Sequence, residues 1–224
     1  AVKLDQLKFL VLDEADEMVS MGFKEELDEI LSYTPENKQT WLFSATMAKE
    51  IKRIVSKYMD DPIEVKINSE EKVNVNIKHQ FVVTKNHDKT EALTRLLDMD
   101  ADMRGVVFCR TRRDTQELAE ALLKKGYAAD ALHGDLSQSQ RDAVMQKFRN
   151  KTLQILVATD VAARGLDVNS LTHVINYKLP DQTEAYTHRI GRTGRSEREG
   201  KACTFVSAED LLMILSIEKI IGKE

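Results

Sequence analysis

Short apolar runs alternate with amphipathic helical segments along all 224 residues of the sequence. Leu7–Leu12, Gly105–Cys109 and Gln154–Ala158 are runs of this kind, and each is followed by polar residues. Strands and helices that alternate with short connections are typical of a mainly parallel sheet covered by helices. We therefore predict an α/β fold, with ligands at the carboxyl ends of the strands.

The pattern predicts eight strands and seven helical segments. The strands are Leu7–Leu12, Thr40–Ser44, Ile77–Val83, Gly105–Cys109, Ala128–Leu132, Gln154–Ala158, Thr172–Asn176 and Lys201–Val206. One helix presents Phe23, Leu27, Ile30 and Leu31, and a second runs from Met47 to Met59. The remaining helices are His87–Met99, Arg112–Lys125, Ser137–Arg149, Gln182–Ile190 and Ala208–Ile221.

A polar stretch divides the chain into two parts. Residues 68–76 lack a core pattern, which predicts a linker between residues 1–67 and residues 77–224. The first part carries 9 Lys/Arg and 14 Asp/Glu, whereas the second carries 24 and 23. With a net charge of −4 overall there is no uniform basic field, so binding of nucleic acid would depend on local patches.

The two cysteines, Cys109 and Cys203, are far apart and have no further Cys or His at ligand spacing. This argues against a disulfide or zinc site and favours a reducing cytoplasmic location. There is no run of 18 apolar residues and no signal peptide, so no association with a membrane is expected. Because the first residue is Ala and a strand follows almost at once, we interpret the sequence as part of a longer protein.

Four acidic side chains lie within residues 11–18, directly after a buried strand. Carboxylates from Asp13 to Asp16 could hold Mg²⁺ through water, since Mg²⁺ keeps much of its hydration shell. An acid after a hydrophobic strand in a phosphate-handling sheet is the Walker-B element, and a following Glu can orient the attacking water. The alternative is a helix N-terminus, where acidic residues interact favourably with the helix dipole.

Small hydroxyl residues end the neighbouring predicted strand, in the sequence Ser44-Ala45-Thr46. Their hydroxyl groups could hydrogen-bond to the carboxylates that follow the first strand. The simpler interpretation, which does not exclude the other, is that Thr46 is the N-cap of the next helix.

Basic residues recur at intervals of three in HRIGRTGRSEREGK, which spans His188–Lys201. They are Arg189, Arg192, Arg195, Arg198 and Lys201. Glycines at 191 and 194 let the backbone approach a ligand, and guanidinium groups match phosphate oxygens in pairs. A phosphate site is therefore favoured over a solvated helix face.

Three further loops combine a strand end with polar and basic groups near a helix start. They are ATDVAARGLDV, VVFCRTRRD and HGDLSQSQR, and the first contains Thr159, Gly165 and Asp167. Helix N-termini bind phosphates well, and together these loops could follow a sugar–phosphate chain. Each loop taken alone is equally consistent with ordinary loop chemistry.

DEAD and SAT, followed by ATDVAARGLD and HRIGRTGR in this order and separation, closely resemble the motifs of the DEAD-box ATP-dependent RNA helicases. The match runs over essentially the whole chain, and its details resemble bacterial cold-shock and ribosome-assembly members. The resemblance implies RecA-like parallel sheets flanked by helices. Residues 1–67 would be part of the first domain, 68–76 a linker and 77–224 a complete second domain. ATP would lie between two such domains and RNA across both.

The resemblance implies ATP and Mg²⁺ as ligands and assigns their contacts. Asp13 would coordinate Mg²⁺ through water, and Glu14 would polarise the attacking water. Asp167 would hold the ribose, while Arg192 and Arg195 would reach the γ-phosphate.

The same resemblance implies residues that couple hydrolysis to strand separation. Asp16 would bond with Ser44, Thr46 and His188, and Arg189 would support the closed interface.

RNA contacts and partners also follow from the resemblance. Arg110, Thr111, Thr159 and Gly165 would lie on the RNA side, while Gln138 and Arg141 would brace the second domain. Recognition would involve the backbone and 2′-hydroxyls rather than base order. The expected partner is therefore structured or duplex RNA without sequence preference. A monomer is expected, with ribosomal or RNA-degradation proteins as further partners.

One departure from the family pattern concerns the phosphate-binding loop. The family uses Gly-Lys-Thr, whose Lys contacts the β- and γ-phosphates. Here only Gly200 and Gly222 precede a Lys, and neither Lys is followed by Ser or Thr. The resemblance therefore implies an N-terminally truncated helicase whose isolated chain does not hydrolyse ATP.

Two hypotheses remain open for the chain. The first is part of an RNA-dependent ATPase that opens short duplexes or remodels RNA–protein complexes. The second is a non-catalytic module that binds RNA or a partner protein. A DNA-translocating helicase is a third alternative, and comparison of RNA with DNA of the same sequence would separate it from the first.

Overall fold

A computed structural model describes residues 3–67, 76–164, 171–194 and 199–222. The chain divides into two compact units, unit 1 (Ala1–Asn68) and unit 2 (Ser69–Glu224). The division lies at the start of the predicted linker 68–76, of which residues 68–75 are outside the described residues. The linker itself stays a prediction.

The described residues of unit 1 form a small sheet with helices on one face. Strands β1 (Phe9–Leu12) and β2 (Gln39–Leu42) pair in parallel, with Phe9 opposite Gln39. The helices are α1 (Ala15–Ser20), α2 (Lys24–Ser32) and α3 (Lys49–Tyr58). Both predicted strands are present, and the first predicted helix corresponds to α2, preceded by the separate helix α1.

Alternation along the strands of unit 1 determines which side chains are buried. The core contains Leu12, Ala15, Leu27, Leu31, Ile51 and Ile54, with Leu10 and Leu42 packed against it. The alternate strand residues Phe9 and Trp41 are 64% and 51% exposed. Ile63, Val65 and Ile67, which follow α3 without forming a helix or strand, are exposed as well. The described residues of unit 1 therefore leave one face of this sheet uncovered.

The strands described in unit 2 form one parallel sheet in the order β3-β8-β7-β4-β6-β5. They are β3 (Ile77–Val83), β4 (Gly105–Cys109), β5 (Ala129–Leu132), β6 (Ile155–Thr159), β7 (His173–Asn176) and β8 (Gly200–Val206). Each lies within one residue of its predicted bounds. The predicted α/β class with parallel sheets flanked by helices is confirmed.

Helices cover both faces of the sheet in unit 2. They are α4 (Lys89–Asp98), α5 (Arg112–Lys124), α6 (Gln138–Arg149), α7 (Asp160–Ala163), α8 (Thr183–Ile190) and α9 (Leu211–Ile221), with short 3-10 turns at Asn86–Asp88 and Ala208–Asp210. The sequence pattern missed only the four-residue α7. Val106 and Phe108 belong to a core cluster shared with residues of α6, α8 and α9, whereas Val107 and Cys109 belong to one shared with residues of α4 and α5. The central strands β4 and β6 are buried along their whole length.

Because every strand pair described in unit 2 is parallel, the carboxyl ends of its strands lie at one edge of the sheet. The segments that begin at Arg110, His133, Asp160 and Tyr177 all start at this carboxyl edge. Within the described part of the chain, no helix has both the length and the apolar character needed to cross a bilayer.

Candidate functional site

The acidic stretch of unit 1 lies where β1 gives way to α1. Asp13 and Glu14 are exposed, and Asp13 Oδ1 accepts a hydrogen bond from the backbone N–H of Glu14 at 2.9 Å. Glu14 has left-handed backbone angles, φ 51° and ψ 44°, which residues other than glycine adopt infrequently. Asp16 and Glu17 occupy the first turn of α1. The stretch is therefore a helix N-terminus, and the magnesium role implied by the resemblance stays a prediction.

Asp16 connects the acidic stretch to the loop after β2. Its Oδ2 accepts the backbone N–H of Thr46 at 2.8 Å, and its Oδ1 accepts that of Glu17 at 3.1 Å. The hydroxyl of Ser44 donates to the carbonyl of Thr46 at 2.7 Å. The structure therefore joins Asp16 to Thr46 through the backbone amide. The predicted contact between Asp16 and the Ser44 hydroxyl is not among the bonds described, because that hydroxyl instead shapes the loop.

Thr46 is not the N-cap of the following helix. Helix α3 begins at Lys49, and its N-cap residue is Ala48, which makes no side-chain capping bond. The expectation of a Thr46 cap was therefore wrong, because Met47 and Ala48 separate Thr46 from Lys49, the first helical position.

The arginine-rich stretch of unit 2 follows α8, and its members do not share one environment. Arg189 is 2% exposed, and its Nε and Nη2 donate to the two carboxylate oxygens of Asp160 at 2.5 and 2.7 Å. Its Nη1 donates to Asn176 Oδ1 at 3.0 Å and to the carbonyl of Lys178 at 2.7 Å. The guanidinium also lies over the ring of Phe108 at 4.9 Å from the centroid.

The prediction that basic residues at intervals of three share one phosphate site is wrong for two members. Arg189 points into the core of unit 2, where a bidentate carboxylate compensates its burial. Lys201 lies near the amino end of β8 and pairs with Asp100 at 3.5 Å, at the opposite edge of the sheet. Arg195 and Arg198 are outside the described residues.

Arg192 and His188 line a shallow pocket of unit 2 at the carboxyl edge. Both side chains are half-buried. The pocket is lined by Phe108, Asp160, Ala163, Arg164, Ala185, His188, Arg189 and Arg192.

Glycines shape the turn that follows Arg192. Gly194 has φ +68°, and the Thr193 hydroxyl donates to the carbonyl of Leu171 at 2.6 Å. A Cβ added at Gly200 would lie 2.5 Å from the backbone N of Gly194, so β8 can pack against this turn only with glycine there.

The predicted RNA-side residues that are described lie on two loops of the carboxyl edge. Thr111 is the N-cap of α5 and accepts the N–H of Asp114 at 3.0 Å. Thr159 is the N-cap of α7 and accepts the N–H of Ala162 at 3.4 Å. Arg110 is exposed and pairs with Asp181 at 2.8 Å. Gly165 and the predicted ribose contact Asp167 are outside the described residues.

The N-terminus of α6 has the structure that its sequence indicates. Ser137 is the N-cap and forms a capping box with Gln140. Gln138 Nε2 donates to Asp142 Oδ1 at 2.8 Å on the exposed side of the helix. The bracing role of Gln138 and Arg141 stays a prediction.

Sequence reasoning missed two polar residues that position Arg189. Asp160 follows Thr159 directly, and Asn176 is fully buried at the carboxyl end of β7. Asn176 Nδ2 also donates to Thr204 Oγ1 at 3.1 Å, so its amide bridges β8 and Arg189. An amide directly after the apolar pair Val174-Ile175 of a predicted strand was the available signal, since buried polar groups nearly always have partners.

The buried thiols and the acidic groups limit the chemistry of the described residues. Burial raises the pKa of Cys109 to about 12 and that of Cys203 to about 11, so neither thiol is an active nucleophile at neutral pH. Among the residues that the structure describes, no three His, Cys, Asp or Glu side chains form a metal-holding group. Magnesium that keeps most of its waters requires only one or two carboxylates plus substrate phosphates, and the exposed Asp13 fits that mode.

Comparison with known proteins agrees with these features. Residues 1–54 match the DEAD/DEAH box helicase family, and residues 88–197 match the helicase conserved C-terminal domain. The ATP-dependent RNA helicase CshA of Limosilactobacillus reuteri is 47% identical over 219 residues, which cover 98% of this chain and 44% of that protein. The chain spans about half the length of the curated relatives it matches.

Two solved structures are similar to the chain. Dbp5 of S. cerevisiae bound to RNA and ADP BeF3 has a TM-score of 0.85 at 30% identity, over 100% of this chain and 59% of that one. The E. coli DEAD-box protein SrmB bound to regulator of ribonuclease activity A (RraA) has a TM-score of 0.61 at 35% identity. That match covers 65% of this chain and 86% of the SrmB chain.

Proposed function

The chain belongs to the DEAD/DEAH box helicase family, and we propose that it is part of an ATP-dependent RNA helicase. In the whole protein, ATP binding and hydrolysis would drive local opening of RNA duplexes or remodelling of RNA–protein complexes. The observation that carries this proposal is the bond from the Thr46 amide to Asp16. It joins the acidic stretch to a loop 30 residues away. A change at the nucleotide can thereby reach the residues that follow β2.

Asp13 and Glu14 act on the reacting phosphate in this proposal. Asp13 holds Mg²⁺ through water, and the bound ion would neutralise charge on the β- and γ-phosphates. The exposed carboxylate of Glu14 orients the attacking water. The left-handed backbone of Glu14 supports this role, because strained conformations of non-glycine residues cluster at functional sites.

Arg192 and Arg195 contact the γ-phosphate, and Asp167 holds the ribose. An arginine that stabilises a transferring phosphoryl group contributes roughly 10³ to 10⁵ in rate. The half-buried position of Arg192 supports such a role because its guanidinium lies beside a pocket rather than on an open helix face. In this proposal, His188 couples the arginine-rich stretch that follows α8 to Asp16. Arg189 acts at a distance from the phosphate, by holding α8 on α7 through Asp160.

RNA is contacted at the carboxyl edge of unit 2 through Arg110, Thr111, Thr159 and Gly165. Each of the two threonines accepts a backbone N–H through its hydroxyl oxygen, so its O–H can still donate to a phosphate oxygen. These groups contact the backbone of RNA, and little dependence on base order is expected. The relative Dbp5, which was solved with RNA, supports this assignment.

Partners and location are part of the same proposal. The structure of SrmB with a regulator of ribonuclease activity supports proteins of RNA degradation as partners. Ribosomal proteins are a further proposed class of partner. We propose a cytoplasmic location, which the two free, buried cysteines favour. We propose a monomeric state as well.

A second candidate function is a non-catalytic module that binds RNA or a partner protein. The observation that favours it is that unit 2 has helices on both faces of its sheet and contains the described RNA-side residues. This module would bind RNA without hydrolysing ATP.

An ATPase assay and a salt titration test these proposals on the chain itself. The chain contains no Gly-Lys-Ser or Gly-Lys-Thr, so we expect no hydrolysis above that of the Asp13→Asn variant, with or without RNA. RNA-stimulated turnover that Asp13→Asn abolishes would contradict this expectation. We expect weak RNA binding that falls roughly ten- to hundredfold between about 50 and 200 mM salt. No binding at low salt would contradict the RNA role of unit 2.

A further inference from the structure

Each arginine at the N-terminus of α5 is paired with a carboxylate. Arg110 pairs with Asp181 at 2.8 Å, Arg112 with Asp135 at 2.6 Å and Arg113 with Glu117 at 2.7 Å. Glu117 lies one turn along the same helix and forms an ordinary i,i+4 pair. Asp135 and Asp181 instead come from other loops of the carboxyl edge, so these two pairs connect separate elements.

The loop that contains Asp135 is held close to Arg112. His133 Nε2 bonds with the side-chain oxygen of Gln116 on α5 at 3.0 Å, and the N–H of Asp135 donates to His133 Nδ1 at 3.3 Å. A Cβ added at Gly134 would lie 3.4 Å from Arg112 Nε. The guanidinium therefore lies against this loop, and Asp135 is positioned to receive it.

Asp181, which lies in the segment that leads into α8, pairs with Arg110. Arg110 directly follows β4 and Asp181 precedes Thr183, the first residue of α8, so the pair joins two segments at the same edge of the sheet. The two interloop pairs lie on either side of Thr111, the N-cap of α5. The proposed RNA surface thus presents its cations with anions already in contact.

These ion pairs can be broken at a small cost in free energy. The side chains of Arg110 and Asp181 are 56% and 75% exposed, and those of Arg112 and Asp135 are 63% and 59% exposed. Exposed pairs of this kind contribute little to stability, because water screens the two charges. A phosphate can replace the carboxylate because it offers the same arginine a bidentate contact. The displaced carboxylate then remains near the phosphate and repels it.

We propose that Asp181 and Asp135 compete with RNA phosphates for Arg110 and Arg112 and thereby set how tightly unit 2 holds RNA. This inference rests on the proposed function, since it assumes that RNA follows the carboxyl edge. The acids lower the affinity for RNA and increase its rate of release. A protein that must let go of each strand after acting on it would gain from weak, exchangeable contacts of this kind.

Anisotropy of a labelled single-stranded oligouridylate tests the competition with the complete chain. The variants are Asp181→Asn, Asp135→Asn and the matched control Asp102→Asn. Asp102 is an exposed residue between α4 and β4, at the amino edge of the sheet, and its substitution changes the net charge equally. At about 50 mM salt we expect Asp181→Asn and Asp135→Asn each to bind roughly two- to fivefold more tightly than Asp102→Asn.

A double substitution identifies the arginine through which Asp181 acts. In an Arg110→Ala background the gain from Asp181→Asn should disappear, whereas the gain from Asp135→Asn should remain. Equal binding by Asp181→Asn, Asp135→Asn and Asp102→Asn would overturn the competition and leave RNA binding by unit 2 intact. A gain from Asp181→Asn that survives Arg110→Ala would overturn it as well. Absence of RNA binding by every variant would overturn both this inference and the RNA role of unit 2.

Discussion

Unit 1 and unit 2 contain the same kind of sheet but differ in how completely it is covered. In unit 2 helices pack on both faces, and the central strands β4 and β6 are buried along their whole length. In unit 1 the described helices pack on one face, and the other exposes Phe9, Val11, Trp41 and Phe43. Parallel sheets are almost always buried on both faces. The acidic residues of unit 1 therefore lie on a sheet that we expect to be less stable than the one that carries the arginines of unit 2.

Hydrogen exchange should show the largest difference between the units. We expect the amides of β4 and β6 to exchange at least about a thousandfold more slowly than those of β1 and β2, because a strand with an uncovered face opens at low free energy. Mass spectrometry of peptides from each strand measures this. Equal protection in both units would show that the sheet of unit 1 is as stable as that of unit 2.

Removal of a core side chain should affect only the unit that contains it. Phe148 is fully buried in unit 2, and Phe148→Ala is expected to lower the free energy of unfolding of that unit by about 3–5 kcal/mol. In urea unfolding, the midpoint of the unit 2 transition should move to a lower urea concentration, whereas the midpoint of the unit 1 transition should not change. A single transition that shifts as a whole would show that the units unfold together.

Acid should destabilise unit 2 partly through His173. This side chain is buried at the amino end of β7, and burial, with a smaller contribution from Lys201, lowers its pKa below the usual 6.5. The folded state therefore holds its proton less tightly than the unfolded chain. The stability that this provides is present above pH 6.5 and is lost as the pH falls through the folded pKa.

Replacement of His173 should flatten this pH dependence. Between about pH 7.5 and 5.5, we expect the fall in Tm of His173→Gln to be about 2–4 °C smaller than that of the wild type. His87→Gln, at an exposed histidine, is the control and should keep the wild-type slope. An unchanged slope in His173→Gln would show that His173 does not account for the acid response.

The smallest effect is expected on the uncovered face of unit 1. Val11 is 58% exposed although it lies in the middle of β1, so Val11→Thr should change the free energy of unfolding by less than about 0.5 kcal/mol. Its neighbour Leu12 is buried, and Leu12→Ala should cost about 2–5 kcal/mol. A loss above about 1 kcal/mol for Val11→Thr would show that this face is covered in solution.

The strands could be predicted closely because a buried parallel strand appears in the sequence as a short apolar run. Gly105–Cys109, which is buried along its whole length, has the predicted bounds, and the buried strand Ile155–Thr159 lies one residue from its predicted bounds. The order of strands in the sheet could not be predicted, since β3 pairs with β8 across more than a hundred residues through tertiary packing alone. Helix α7 was missed because four residues are too few to show a helical repeat of apolar positions. The available signal was its N-cap, Thr159, because threonine is one of the residue types that favour this position.

The sequence predicted which residues belong to the candidate site more fully than it predicted the contacts between them. Spacing grouped Arg189 with Arg192, but no pattern of arginines states which one turns inward. The direction of Arg189 depends on Asp160, 29 residues earlier, and on Asn176 at the end of β7. Likewise, Asp16 and Thr46 were expected to meet, but the donor is a backbone amide that sequence does not distinguish.

In the proposed function, the acids of unit 1 and the arginines of unit 2 act on the same nucleotide. The most direct measurement is the RNA-stimulated ATPase rate of a chimera, in which the Gly-Lys-Thr-containing segment of a related helicase is joined before this chain. We expect Glu14→Gln and Arg192→Ala each to lower the rate about a thousandfold or more. The control Lys201→Ala, at a basic residue of the opposite sheet edge, should leave it unchanged. An active chimera whose rate survives Arg192→Ala would contradict the account.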